Sequence, residues 1–290
     1  MDSGCTNGID TGFVALGYAK VAVLGVVQGI TELMPISSTA HMRIVPALLG
    51  WPDPGSAFSA AMQLAALAAV ISYFWRDVRD LVFGSLSAIA RRDYYDRSFV
   101  LAVGIVIGTI PIGIAGLALA KTLNTCGSPL RSLVVVGLAC IVMALLLAIA
   151  EVAARHQRPF ERVRLLDCLV VGIAQVGALI PGVSRSGSTL TAALFLGFKR
   201  EDAARFSFLL GLPAIALAGL KELAELRHAG LDAHCWSVLI LGLVVASLSS
   251  FLAIWALLRI LERFAAWPFV VYRAFLGAAL LAGVATGWLG

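Results

Sequence analysis

Long apolar runs alternate with short polar segments along most of the chain. Six runs are long enough to cross a membrane as helices, because about 20 apolar residues span the hydrocarbon core. Each run is rich in Leu, Ala, Val, Ile and Phe and is bounded by charged or turn-forming residues. The runs cover residues 57–75, 98–120, 132–153, 204–222, 236–258 and 269–288. The pattern predicts six transmembrane helices.

Two further apolar regions are interrupted in the middle. Residues 19–50 are broken at 35–38, and residues 165–198 are broken at 181–187. Each half has about 15 residues or fewer, which at about 1.5 Å per residue reaches only part of the way across. Both regions therefore predict re-entrant helical hairpins, whose broken tips must be surrounded by protein or water.

The two interrupted regions resemble each other. Gln28 precedes Pro35 by seven residues, Gln175 precedes Pro181 by six, and a serine follows each proline within three residues. A Phe-Ser pair opens a long apolar run 21 residues after a serine of each break, at 58–59 and at 206–207. The spacing predicts an internal duplication.

The basic residues predict how the chain is oriented. They cluster in the loops near 76–97, 155–164, 199–205 and 259–263, whereas the loops at 121–131 and 223–235 hold few of them. Loops rich in Lys and Arg lie in the cytoplasm. On that basis the two hairpins open to opposite sides, so the repeats are inverted, an arrangement typical of a binding site at the bilayer midplane.

We therefore predict one all-α polytopic membrane domain over residues 1–290. Repeat one covers about 18–120 and repeat two about 165–258. The spans at 132–153 and 269–288 complete the bundle.

Composition agrees with a membrane protein and excludes a soluble one. The 290 residues are 60% hydrophobic and 13% charged, whereas soluble domains average about 45–50% apolar and about 25% charged residues. The net charge of +5 is explained by cytoplasmic loops, so no nucleic-acid partner is expected. Five dispersed cysteines indicate neither a disulfide framework nor a zinc site. The acidic N-terminus does not resemble a signal peptide, so the first apolar segment is expected in the mature protein.

Titratable side chains inside apolar segments are costly and therefore point to function. These are Glu32, His41 and Arg43 in the first broken region and Arg185 in the second. Gln28 and Glu32 are four residues apart and share one helix face. Arg43 has the alternative of extending toward an interface. We expect the others to compensate one another at one site.

The two breaks predict an anion site. Ser37, Ser38 or Thr39 is expected to cap the helix after the first break, and Ser184, Ser186 or Ser188 the helix after the second. Two helix N-termini would aim free N–H groups at one point. Arg185 can bind phosphate oxygens with two donors, and Gly182 and Gly187 allow close approach. The predicted ligand is a phosphate or diphosphate with an apolar remainder.

Other polar residues are given no functional role. Glu151 and Arg273 are placed near span ends, Lys20 near an interface, and the remaining three histidines in loops: His156, His228 and His234.

The motifs at the two breaks resemble a known family. The segment GVVQGITELMPISSTAH at 25–41 resembles the first signature of the undecaprenyl-diphosphate phosphatases, also called bacitracin-resistance proteins. PGVSRSGST at 181–189 resembles their second signature, and FSFLL at 206–210 and PFVVYR at 268–273 also fit. The resemblance runs from about residue 18 to the C-terminus.

The resemblance implies a multi-pass enzyme of the bacterial inner membrane. It would hydrolyse undecaprenyl diphosphate to undecaprenyl phosphate and inorganic phosphate, recycling the lipid carrier for peptidoglycan synthesis and conferring bacitracin resistance. Its expected partners are the polyprenyl diphosphate lipid and bilayer lipids. The oligomeric state stays open, a homodimer included.

The resemblance also implies site residues. The catalytic set is Glu32, Ser38, His41 and Arg185. The predicted substrate contacts are Gln28, Ser37, Ser184, Ser186, Gly187 and Thr189. Many family members have Glu at the position of Gln28, which leaves Glu32 as the sole acidic group of that motif. A divalent cation, Mg²⁺ or Ca²⁺, is implied between Glu32 and phosphate oxygens.

Three groups are candidates for the nucleophile of this reaction. Ser38, activated by Glu32 or His41, is preferred, and the rivals are His41 itself or a water activated by Glu32. A transporter or flippase of polyprenyl phosphate is the alternative function, because inverted repeats with broken helices also form transporters. A scaffold without a ligand would leave the buried charges unexplained.

Overall fold

The structure, a computed structural model, describes residues 5–6, 9–10, 12–123, 132–228 and 232–287. Most of the predicted loop at 121–131 and part of the loop at 223–235 lie outside these residues, as does most of the acidic N-terminus. The described chain is helical except for one antiparallel strand pair, β1 (Cys5–Thr6) with β2 (Ile9–Asp10), and connecting segments.

Twelve α-helices are present in the described residues. In chain order they are α1 (Gly17–Leu33), α2 (Ser38–Leu48), α3 (Ser56–Ala61), α4 (Gln63–Tyr73), α5 (Trp75–Arg91), α6 (Arg97–Leu123), α7 (Leu133–Ala153), α8 (Leu165–Val176), α9 (Arg185–Phe195), α10 (Arg200–His228), α11 (Ala233–Phe264) and α12 (Trp267–Ala285). Single 3₁₀ turns lie at Gly12–Ala15, Phe160–Arg162 and Gly177–Leu179.

Five of these helices are long and apolar enough to cross a membrane. They are α6, α7, α10, α11 and α12, and a sixth span is obtained if the bent pair Phe58–Tyr73 and Trp75–Arg91 counts as one. The prediction of a helical, multi-pass membrane protein is confirmed at this level.

The segment after the first predicted span differs from the sequence prediction. Residues 76–97 were predicted as a basic loop, but α5 occupies most of them and bends by 82° away from the helix before it. Val78 and Leu81 of α5 pack against the core, while Phe83 and Leu86 are exposed. The charged residues of this segment resemble a loop, but its apolar residues recur at the spacing of an amphipathic helix.

Each broken region folds into a helical hairpin. Helices α1 and α2 pack against each other across the first break, as α8 and α9 do across the second. The residue before each second arm is a serine in a left-handed conformation, Ser37 at φ 74° and Ser184 at φ 69°. Each second arm is 11 residues long. The two breaks therefore share a serine at positive φ and a second arm of equal length.

Glycines bring each hairpin close to a long helix. Helix α1 lies along α11, and α8 lies along α6. A Cβ at Gly172 would be 2.1 Å from the carbonyl oxygen of Gly108, and a Cβ at Gly25 would be 3.0 Å from that of Gly242. Only glycine permits these backbones to approach so closely. The tight packing holds the two tips in place.

Candidate active site at the two helix breaks

Glu32 joins the two breaks. It lies in the last turn of α1, 8% exposed, and its Oε1 is paired with the guanidinium of Arg185, the first residue of α9. Its Oε2 accepts hydrogen bonds from Ser38 Oγ at 2.6 Å and from Gln28 Nε2 at 2.9 Å. One carboxylate therefore binds a guanidinium, a hydroxyl and an amide from both broken regions.

The local sequence explains this arrangement. Gln28 and Glu32 lie one helical turn apart on α1, so their side chains meet. Ser38 is the first residue of α2, so the turn at the break folds its hydroxyl back onto the end of α1. A buried ion pair needs further hydrogen bonds to offset its desolvation, and Gln28 and Ser38 supply them to Glu32.

Several hydroxyl groups support the second tip. Ser184 caps α9 by accepting a hydrogen bond from the N–H of Gly187 at 3.2 Å. It was one of the three serines predicted for this cap. Ser186 donates to the carbonyl oxygens of Glu32 and Met34, both at 3.1 Å, and so satisfies the end of α1. Thr189 donates to the carbonyl of Arg185 at 2.8 Å.

The predicted cap of α2 is absent. Ser37 occupies the cap position but makes no side-chain cap hydrogen bond, because its Oγ lies 3.2 Å from Oγ1 of Thr39. The hydroxyl of Ser38 is taken by Glu32. Thr39 instead accepts from the N–H of Gly182 at 3.4 Å. The cap prediction was wrong for the first break because these hydroxyls are used for contacts within and between the tips.

His41 is separated from the carboxylate cluster. Its Nδ1 lies 2.7 Å from the carbonyl oxygen of Ser37, and its Nε2 lies 2.5 Å from Oη of Tyr272. The two rings are stacked, with centroids 5.6 Å apart and an interplanar angle of 11°. The described hydrogen bonds of His41 do not include Glu32 or Ser38. The expected mutual compensation is therefore met by Glu32 and Arg185 alone.

Arg273 is the site residue that sequence reasoning missed. It was placed near a span end, but it is 1% exposed inside α12. Its Nη1 donates to the carbonyl of Pro35 at 3.0 Å, and its Nη2 donates to those of Gly182 and Val183 at 2.8 and 2.9 Å. It therefore binds both tips. An arginine inside an apolar run was the available signal.

Gly187 makes room for this arginine. A Cβ added there would lie 2.8 Å from Nη1 of Arg273. The sequence predicted a glycine that admits phosphate, whereas the nearest group that a side chain would meet is the guanidinium.

Two buried glutamines differ in their surroundings. Gln28 is bound to Glu32 through Nε2, and its Oε1 has no hydrogen-bond partner among the described residues. Gln175, which the predicted duplication would pair with Gln28, has no such partner for either amide atom within the described part of the chain. Gln28 and Gln175 therefore correspond in sequence position but not in their contacts. The cluster around the Glu32 carboxylate is formed by residues of the first broken region together with Arg185.

Two cavities adjoin the site. A small one, about 10 Å³, lies beside Glu32 and Arg185 and reaches Ser207 and Gly211. An open apolar cleft of about 410 Å³ has His41 and Tyr272 among its polar lining groups. Apart from Thr31, the other lining side chains are apolar and include Val26, Ile30 and Met34. A polar cluster and an apolar cleft suit a ligand with a charged head and a hydrocarbon chain.

The other predicted polar residues lie away from this cluster. The side chain of Arg43 is 35% exposed, and its Nε lies 3.9 Å from Asp53 Oδ2, in agreement with a position toward an interface. Glu151 is buried at the end of α7, where it pairs with Arg200 and accepts from the N–H of Ala266 at 3.2 Å. Its role is to join helix ends.

Comparison with known proteins places the chain in a family. The family model described as bacitracin resistance protein BacA matches residues 21–279. The chain is 74% identical over 262 residues to undecaprenyl-diphosphatase 2 of Mesorhizobium japonicum, covering 90% of this chain and 99% of that protein. It is 52% identical to the undecaprenyl-diphosphatase of Synechococcus elongatus, covering 93% and 94%, and 51% identical to that of Gloeobacter violaceus, covering 94% of each. The chain therefore belongs to the bacitracin resistance protein BacA family.

Proposed function

We propose that this protein hydrolyses undecaprenyl diphosphate to undecaprenyl phosphate and inorganic phosphate. This reaction recycles the lipid carrier for peptidoglycan synthesis and confers bacitracin resistance. The observation that carries the proposal is the Ser38 hydroxyl, 2.6 Å from the Glu32 carboxylate that also binds Arg185. Phosphoryl transfer uses a hydroxyl as nucleophile, a base that takes its proton and a guanidinium that stabilises negative charge. A transporter of polyprenyl phosphate needs a site that binds the anion but no nucleophile. The relatives that bear the name undecaprenyl-diphosphatase agree with this assignment.

Ser38 is the proposed nucleophile and Glu32 its base. As Oγ attacks the terminal phosphorus, its proton passes to Glu32 and the bond from phosphorus to the bridging oxygen breaks. Undecaprenyl phosphate leaves with the bridging oxygen and its electron pair. Water then attacks the phosphoserine: its oxygen bonds to phosphorus as the bond from phosphorus to Oγ breaks, and the proton on Glu32 returns to Oγ of Ser38. Both protons of the water leave with the inorganic phosphate. The contact that favours this scheme is the direct Ser38–Glu32 hydrogen bond, since His41 is bound elsewhere.

The remaining groups stabilise the charge that develops on phosphate. Arg185 and the free N–H groups that open α2 and α9 would face its oxygens. Gln28 orients Glu32 through its amide. The proposed substrate contacts stay those of the sequence: Gln28, Ser37, Ser184, Ser186, Gly187 and Thr189.

A divalent cation, Mg²⁺ or Ca²⁺, is proposed to accompany the diphosphate. The described residues contain no group of three His, Cys, Asp or Glu that could hold a metal, so a dedicated protein cage does not fit. Glu32 and the buried, unpartnered Oε1 of Gln28 are two oxygen ligands, which fits a hard cation that takes its other ligands from phosphate and water. Such a cation would neutralise phosphate charge. We expect chelation to abolish phosphate release and either cation to restore it, whereas full activity in excess chelator would contradict this.

The apolar cleft is proposed to take the hydrocarbon chain of the substrate. Its lining is mostly apolar and includes His41, which lies one helical turn from Ser38 on α2. The substrate class, a polyprenyl diphosphate, follows from this pairing of cleft and cluster.

The membrane topology is proposed to be that of inverted repeats in the bacterial inner membrane. The hairpins α1–α2 and α8–α9 would enter from opposite sides as re-entrant elements, within repeats at 18–120 and 165–258. Support comes from the shared geometry of Ser37 and Ser184 and from the packing of each hairpin on the last long helix of the other repeat. In a cysteine-free background, Leu49→Cys should react with an impermeant maleimide in intact cells, and Lys199→Cys only after permeabilisation. Equal reaction of both would refute the inversion.

The reaction is tested by phosphate release from undecaprenyl diphosphate with the purified protein in detergent. We expect Ser38→Ala to lower kcat by about 10³-fold or more, as loss of a nucleophile does, and rapid quenching of the wild type to trap a phosphoserine. Ser249→Ala is the matched control, because among the described residues the Ser249 hydroxyl donates to the carbonyl of Val245 within its own helix α11. Near-normal turnover by Ser38→Ala would exclude the serine scheme. Movement of lipid without phosphate release would contradict the proposed function.

A further inference from the structure

Tyr272 belongs to the surroundings of His41, although the sequence analysis gave it no role beyond its place in the PFVVYR segment. It lies on α12 directly before Arg273. Since Arg273 binds the carbonyls of both tips, α12 is held firmly against the breaks. Consecutive helix residues point about 100° apart, so the same helix that fixes the tips also presents the phenol of Tyr272 to α2.

The hydrogen bonds of His41 determine its tautomer. The carbonyl oxygen of Ser37, 2.7 Å from Nδ1, can only accept, so Nδ1 carries a proton. In the neutral ring, Nε2 is then the single acceptor, and the Tyr272 hydroxyl 2.5 Å away donates to it. The stacked rings, with an interplanar angle of 11°, hold this orientation. In the neutral ring, His41 therefore carries its proton on Nδ1 and its lone pair on Nε2.

We propose that Tyr272 is a positioning residue that fixes the orientation of His41 in the lining of the apolar cleft, by its hydrogen bond to Nε2 and by stacking on the ring. His41 is 8% exposed, Tyr272 is 41% exposed, and both line the cleft. The phenol and the imidazole therefore face the same cleft. In this arrangement Nε2 is covered by Tyr272, which disfavours His41 as the nucleophile and leaves it to orient substrate. The inference rests on the proposed function for its kinetic consequence but not for its spectroscopic one.

The tautomer can be read directly by ¹⁵N NMR. The chain has four histidines, so a sample labelled only at histidine gives few imidazole signals, and His41→Asn assigns those of His41. We expect Nδ1 of His41 to be protonated and Nε2 to carry the lone pair in the wild type. Tyr272→Phe keeps the ring but removes the hydroxyl. We expect the Nε2 signal of His41 to shift because that nitrogen loses its hydrogen bond, while Nδ1 stays protonated through the Ser37 carbonyl.

A second tyrosine–histidine pair in the same chain is the matched control. Tyr18 Oη lies 3.3 Å from Nδ1 of His234, with the rings 5.2 Å apart, and this pair is exposed. Tyr18→Phe should change the signals of His234 and leave those of His41 and the release of phosphate unchanged.

The kinetic test is phosphate release by Tyr272→Phe. One hydrogen bond contributes about 0.5–1.5 kcal/mol net, so we expect kcat to fall by about 2- to 12-fold, with a smaller change in KM. Unchanged His41 signals in Tyr272→Phe, or a kcat equal to that of Tyr18→Phe, would overturn the inference. If the wild type releases no phosphate, the proposed function fails, while the NMR comparison still decides whether Tyr272 positions His41.

Discussion

Replacement of Arg273 is the perturbation that tests most directly how the two tips are held together. Its guanidinium donates three hydrogen bonds, to Pro35, Gly182 and Val183, at 2.8–3.0 Å. Arg273→Met keeps a long apolar stem and removes every donor. The three carbonyl groups then lose a charged partner in a buried position.

The expected cost follows from these contacts. A buried carbonyl left without a donor costs about 1–3 kcal/mol, and relief from burying the guanidinium charge offsets part of the sum. We expect a net loss of about 2–4 kcal/mol in the free energy of unfolding. We expect a large loss of kcat as well, because a shift of about 1 Å between Ser38 and Arg185 can lower the rate by about 10²-fold.

The assay is phosphate release together with thermal unfolding in the same detergent. Arg273→Lys separates charge from geometry: it keeps one positive charge, but a single ammonium cannot reproduce the planar fork that reaches both tips. We expect both variants to lose about 10²-fold in kcat. Arg259→Met is the control, since Arg259 is exposed and its ion pair within the described residues is with Glu262 on the same helix. Activity of Arg273→Met within twofold of the control would refute the idea that this arginine aligns the tips.

Three further outcomes follow from the same structure. Gly172→Val should lower the yield of folded protein, because even a Cβ at Gly172 lies 2.1 Å from the carbonyl oxygen of Gly108. Gly113→Ala should fold normally, because in the described structure its Cβ would meet nothing within 4 Å beyond the backbone of its own helix, and equal thermal stability of the two would contradict this packing. Ile30→Trp should fill the apolar cleft and raise KM for undecaprenyl diphosphate while leaving KM for a short-chain prenyl diphosphate unchanged; equal effects on both would count against the cleft. Arg185→Lys should lower kcat by about 10²–10³-fold, because one ammonium replaces a bidentate donor at the developing charge, and retention of activity would remove Arg185 from transition-state stabilisation.

The candidate site was predictable where the sequence placed charge inside apolar segments. Glu32 and Arg185 stand out because an unpaired charge in lipid is costly, and the structure pairs them. Ser38 was identified from the motif, and it does contact Glu32. His41 was predicted in the same cluster, yet its ring faces Tyr272. A one-turn spacing on a helix places two residues on one face, but it does not determine where an imidazole turns.

Arg273 shows the limit of the same argument. Its position near the start of an apolar run is equally typical of a side chain that extends to an interface. Whether such an arginine is exposed or buried depends on what packs against it, and here both tips supply carbonyl groups. Helix α5 was missed for a related reason, because its charged first turn resembled a loop.

The sequence by itself determined that this is a helical membrane protein. It also determined the number of membrane-spanning helices to within one, the two broken regions, and the polar and charged residues at the breaks. These follow from composition and periodicity, which act on each segment separately through the cost of exposing polar groups to lipid. Tertiary structure alone decided that Glu32 pairs with Arg185 across the two breaks, that Arg273 binds both tips, and that Tyr272 covers His41. These contacts join residues far apart in the chain, and their geometry depends on how closely the glycine-lined helices pack. No local pattern contains that information, because it is a property of the assembled bundle.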